Sequence, residues 1–111
     1  MSDINREAAG LLYCVAVKLR STFEGAGVEC FGYFVKGSRV CFTVSNPELC
    51  RSIMDGLGLL GDWSAWTWGT GCRSLEVEPV LLRGLVSAAD SFGVPVPVSL
   101  RCFRPGVPLT A

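Results

Sequence analysis

The stretch 29–45 constrains this chain more than any other. Gly37-Ser38 lies between two runs of alternating apolar residues, and glycine there supplies the positive φ of a two-residue type II′ hairpin turn. That turn predicts a register in which Val35 faces Val40, Tyr33 faces Phe42 and Phe31 faces Val44. Side chains alternate along a strand, so these residues share one wholly apolar face. The other face is mixed: Cys30, Gly32, Phe34, Lys36, Arg39, Cys41, Thr43 and Ser45. A greasy sheet face must be covered, and helical patterns on both sides of the hairpin provide the cover.

The first helix is predicted over 3–24. Ile4, Ala8, Leu11, Leu12, Val15, Leu19 and Phe23 fall on one stripe, and Gly25 and Gly27 end it. Tyr13 and Val17 lie on the opposite side, among Arg6, Arg20 and Glu24, as a candidate contact face. After the hairpin, Ser45 or Asn46 caps a second helix, Pro47 fits its first turn, and Leu49, Ile53, Met54 and Leu57 form its stripe. A second hairpin is expected over 63–78 around Gly69-Thr70-Gly71. Its register stays open. A three-residue loop sets Trp66 and Trp68 beside Ser74 and Glu76, whereas a two-residue loop groups them with Arg73, Leu75 and Val77. One slip exchanges the faces. Pro79 is expected to open a third helix with the stripe Leu82, Leu85, Val86, Ala89 and Phe92, closed by Gly93. A final strand is expected over 94–103, with an open edge or a bulge on the side of Pro95 and Pro97.

The predicted order is therefore α-ββ-α-ββ-α-β. It describes a single-domain α+β sandwich of about five strands, antiparallel or mixed, with about three helices packed mainly on one face. The domain is expected to span residues 1–104, followed by a C-terminal tail over 105–111.

With 111 residues, half of them hydrophobic, the chain can bury one core. Ten basic residues balance ten acidic ones, which argues against a nucleic-acid partner, because phosphate contacts demand cationic surplus. Lys36 with Arg39, and Arg101 with Arg104, read as solvated turns or strand ends. The first residues carry Asp3, Arg6 and Glu7, unlike a secretory leader, and no apolar run is long enough to cross a membrane. Six cysteines at 14, 30, 41, 50, 72 and 102 are widely spaced, most of them among apolar neighbours. They read as reduced thiols of a cytoplasmic protein.

The chain contains no histidine, which removes the commonest general base near neutral pH and the commonest metal ligand. Cysteine is then the only nucleophile worth weighing. Cys50 lies in the first turn of the helix opened by Pro47, and Cys72 follows a glycine-rich turn. The spacing lacks the close pairs of structural zinc sites. Glu76 and Glu78 would stand about 7 Å apart on one strand face, and read as an exposed acidic face. Gly69-Thr70-Gly71 lacks the lysine and the following helix of a phosphate loop. No cofactor, metal or catalytic residue is assigned.

The aromatic lead is stronger. Trp63, Trp66 and Trp68 crowd together, and tryptophan is enriched where proteins bind partners. The residues expected to meet a partner are Trp66, Trp68, Arg73, Tyr13 and Val17. The expected function is a small non-catalytic module that binds another protein as an inhibitor or adaptor. In size and composition it is similar to phage and mobile-element accessory proteins that block host defence. The alternatives are a structural homo-oligomer, joined through an open hairpin edge or the Tyr13/Val17 face, and a cysteine enzyme using Cys50 or Cys72.

Overall fold

Two hairpins interlock to form one antiparallel sheet. The computed structural model describes residues 3–68 and 73–102, and side chains from Arg6 to Trp66 and from Arg73 onward. In chain order the elements are α1 (Asp3–Gly25), β1 (Cys30–Lys36), β2 (Arg39–Val44), α2 (Pro47–Gly56), β3 (Trp63–Trp68), β4 (Ser74–Pro79), α3 (Leu82–Phe92) and α4 (Val98–Arg101). The sheet order is β1-β2-β4-β3. β4 therefore lies between the two hairpins' outer strands, and α2 carries the crossover.

The local signals act as expected. Asn46 caps α2, its side-chain oxygen accepting from the Leu49 N–H at 3.1 Å. Gly93 closes α3 in the left-handed conformation, with φ 73°. The first hairpin turns at Gly37, and Val35 faces Val40 and Tyr33 faces Phe42. The expected Phe31–Val44 pair does not form. A bulge between Cys30 and Gly32 brings Cys30 opposite Val44 instead. Cys30 takes the core-side place, and Phe31 is turned out to 67% exposure.

The second hairpin corrects both expected loops. Trp68 pairs with Ser74, Trp66 with Glu76 and Ala65 with Val77, so the connection spans 69–73. This register is displaced by two residues from the three-residue-loop alternative. A displacement of two preserves the faces. Trp63 and Ala65 face the core with Leu75 and Val77, while Trp66 faces away with Glu76. The grouping of Trp66 and Trp68 with Leu75 and Val77 is thereby overturned.

Two further expectations need correction. Pro79 ends β4 opposite Trp63 rather than opening α3, which begins at Leu82. Residues 94–97 join no ladder, and Val98–Arg101 is a short helix, so the sheet among the described residues has four strands rather than five. The physical reason is that Pro95 and Pro97 remove two ladder donors, while Pro97 suits a helix start. The expected tail over 105–111 lies outside the described residues.

The core fills the space between helices and one sheet face. Leu11, Leu12, Val15, Leu19 and Phe23 of α1, Cys50 and Met54 of α2, and Leu85, Ala88 and Ala89 of α3 meet Val40, Phe42, Val44, Leu75 and Val77. Phe23 packs edge-on to Phe42 with ring centroids 5.3 Å apart. The buried stripe of α2 is rotated from the one expected: Pro47, Cys50 and Met54 point in, and Leu49 and Leu57 remain partly exposed. Trp63 anchors β3 to α3, its indole N–H donating to the Gly84 carbonyl at 3.3 Å. Every strand residue in the core cluster lies on this one face. The opposite face carries no helix among the described residues.

Candidate functional site

Strand parity and the β2–β4 pairing build the helix-free face. Phe34 stands opposite Cys41, Cys41 opposite Glu76 and Glu76 opposite Trp66, so one row crosses all four strands. Because Trp63 is locked inward by its hydrogen bond to α3, alternation turns Trp66 outward three residues later. By register the backbone of Trp68 continues the same side opposite Ser74.

Arg39 organises the charges on this face. Its guanidinium lies 5.2 Å from the Trp66 ring centroid, a cation–π distance. Nη1 is 3.9 Å from Glu76 Oε1, and Nη2 is 3.7 Å from Glu78 Oε1. Glu78 also accepts a hydrogen bond from the Ser38 hydroxyl at 3.1 Å, which ties the first hairpin's turn to β4. Arg39 is half-exposed, so each ion pair is worth little by itself. Glu76 differs from an ordinary surface acid. It is only 6% exposed, and its Oε2 has no hydrogen-bond partner among the described residues. The expected exposed acidic pair is thus a buried carboxylate beside a half-buried one. Burial, reinforced by the charge of Glu76, raises the neighbouring Cys41 thiol above its ordinary range.

The rim of the face is apolar. Phe34 is 57% exposed, in the middle of β1. An exposed aromatic beside a buried carboxylate and its half-exposed cation supplies two ingredients of a protein contact surface, an apolar anchor and charge at hand.

The sequence-predicted residues do not all gather here. Trp66 is in the site. Trp68 joins it by backbone position, and its side chain lies outside the described residues. Arg73 does not join; it pairs with Glu48 at the start of α2 at 3.5 Å, and its carbonyl accepts from the Val44 N–H. Tyr13 and Val17 are exposed on α1, on the helix side of the sheet. Tyr13 packs near Tyr33 with centroids 6.1 Å apart, and Arg20 lies 5.6 Å from the Tyr33 ring. Contact with Tyr13, together with burial, raises the Tyr33 phenol. These form a second, separate patch.

Arg39, Phe34 and Glu76 were missed as site residues. The signal was present in part: hairpin parity placed Phe34, Arg39 and Cys41 on one side. Only the β2–β4 pairing brings them beside Glu76 and Trp66.

The cysteine alternatives fare differently. Cys50 is fully buried and its thiol is pushed up to about 12, chiefly by burial, so the helix start does not activate it. Cys72 lies outside the described residues. Cys14, Cys30, Cys41, Cys50 and Cys102 are all free. No helix among the described residues is long and apolar enough to cross a membrane. Compared with known protein families, with curated proteins and with solved structures, the chain matches none.

Proposed function

We propose that this chain is a small non-catalytic protein-binding module, an inhibitor or adaptor, that docks through its helix-free sheet face. One observation carries the reading: that face holds Phe34 out in solvent on the same row as Trp66, with Cys41 and Glu76 between them and Arg39 against the Trp66 ring. The fitting partner is a protein surface with an apolar centre to receive Phe34 and hydrogen-bonding groups around it to meet Arg39, Glu78 and Lys36. The lack of histidine and the buried, unactivated Cys50 support a role without turnover. Free cysteines fit a reducing compartment, and we place the protein in the cytoplasm.

The test is site-specific photocrosslinking in host cells, with the crosslinker at Phe34 and, for comparison, at Arg51 on α2. A partner crosslinked from position 34 is then purified and titrated against wild type, Phe34→Ala and Trp66→Ala. The reading expects capture from 34, little from 51, and at least tenfold weaker binding by either variant. Capture from position 51 alone, or equal affinity of all three proteins, overturns it.

A further inference from the structure

The sheet has two edges, β1 and β3, and only one is defended. β1 carries the bulge at Phe31, a glycine at 32 and Lys36, all of which hinder the addition of another strand. β3 has none of these devices. Its sequence Trp63-Ser64-Ala65-Trp66-Thr67-Trp68 contains no charge, proline or glycine, and its pairing with β4 runs without a register break. Among the described residues its backbone makes no hydrogen bond other than those to β4, and none of them claims its outward N–H and C=O groups. A row of such groups on a strand edge is a template for pairing with another strand.

We propose that β3 pairs antiparallel with β3 of a second copy about a two-fold axis, joining two four-stranded sheets into one of eight strands. Three features favour a second copy as the occupant. A strand laid against itself sets like residues near like, which charge would penalise, and β3 is uncharged. Parity is compatible: with Ala65 opposite Ala65, or Trp66 opposite Trp66, both helix layers fall on one side and both Trp66 rings on the other. Growth also stops, because a two-fold contact consumes the β3 edge of each copy and leaves only the bulged β1 edges. The inference concerns the sheet's edge and stands independently of what docks on its face.

Light scattering and analytical ultracentrifugation across a micromolar-to-millimolar series provide the test. The mass should rise from one chain to two and no further. Ser64→Lys should weaken dimerisation at least tenfold while preserving the fold. Its new ammonium faces Glu78 across the β3–β4 pair in the same molecule, while a charge on the edge opposes the addition of another strand. Hydrogen exchange should show amides in 64–67 gaining protection with concentration, and amides in β1 unchanged. A single-chain mass throughout, growth beyond two, an unaffected Ser64→Lys, or new protection on β1 would each overturn the proposal.

Discussion

One substitution, glycine to alanine, should have opposite effects in two helices of this protein. Alanine is the better helix former by about 1 kcal/mol. At Gly10 in α1 an added Cβ meets nothing within 4 Å, so Gly10→Ala should stabilise by about that amount. At Gly84 in α3 the added Cβ would stand 2.8 Å from both Asp62 Cβ and the Asp62 carbonyl oxygen. Carbon atoms sit comfortably about 3.5–4.0 Å apart, so Asp62 must retreat by about 0.7 Å or more. It is not free to do so. Its carbonyl accepts from the Val80 N–H at 2.8 Å, its own N–H donates to the Leu59 carbonyl at 3.0 Å, and the adjoining Trp63 indole is bonded to Gly84 itself. Overpacking costs about 1–3 kcal/mol, and each weakened hydrogen bond adds about 1 kcal/mol. Against the gain in propensity, Gly84→Ala should lose about 2 kcal/mol, which for a domain of this size lowers Tm by about 8 °C. Gly10→Ala should raise it by about 4 °C. Urea titration followed by tryptophan fluorescence, with calorimetry, measures both. A Gly84→Ala protein as stable as wild type would refute the tight seam between α3 and the residues preceding β3. It would also undercut the anchoring of Trp63, which sets the face Trp66 occupies.

Arg39→Met should destabilise the fold by about 1–2 kcal/mol by removing the cation paired with buried Glu76, while Arg39→Met combined with Glu76→Gln should recover part of the loss in a double-mutant cycle. Additive losses would show that Arg39 and Glu76 act separately. Under native conditions at pH 8, a thiol reagent should modify exposed Cys14 and Cys102 quickly and Cys50 only on unfolding, because burial both hides its thiol and raises it to about 12. Peptide mapping of labelled sites decides this. Asp90 is held below the usual carboxylate range by its hydrogen bonds to Arg101, which link α3 to α4. A depressed folded-state pKa means the contribution is complete above the unfolded value and fades as pH falls through the folded one. Exchange protection of amides in 98–101 should therefore drop on acidification below the ordinary carboxylate range, and Arg101→Met should abolish that pH step.

What the sequence made legible was local. Ser45-Asn46-Pro47, Gly37-Ser38 and Gly93 mark caps and turns whose chemistry is complete within a few residues, and the structure keeps them. The outward side of Trp66 was legible only conditionally. Two registers of 63–78 were open, and the observed one, displaced by two residues, shares its parity with only one of them. Phe31 was assigned inward because a bulge depends on what packs against the strand rather than on its alternation. Glu76 and Arg39 read as ordinary surface charges because each is unremarkable among its own neighbours. Their encounter depends on β2 finding β4 across the α2 crossover, a long-range pairing that no short window contains. The segment 94–103 was misread for a different reason: its alternating valines suit a strand, but Pro95 and Pro97 deny it a ladder.

The crossover at α2 also divides the molecule into two pieces of similar kind. Residues before Gly58 contain α1, the first hairpin and α2; those after it contain the second hairpin, α3 and α4. Gly58 itself is exposed, with φ 76°, where a cut breaks no strand. A protease that nicks there would leave both fragments clasped by the β2–β4 rungs and by side chains from each half. Co-expressed as separate polypeptides, the halves should reassemble, which makes this fold a ready-made split reporter.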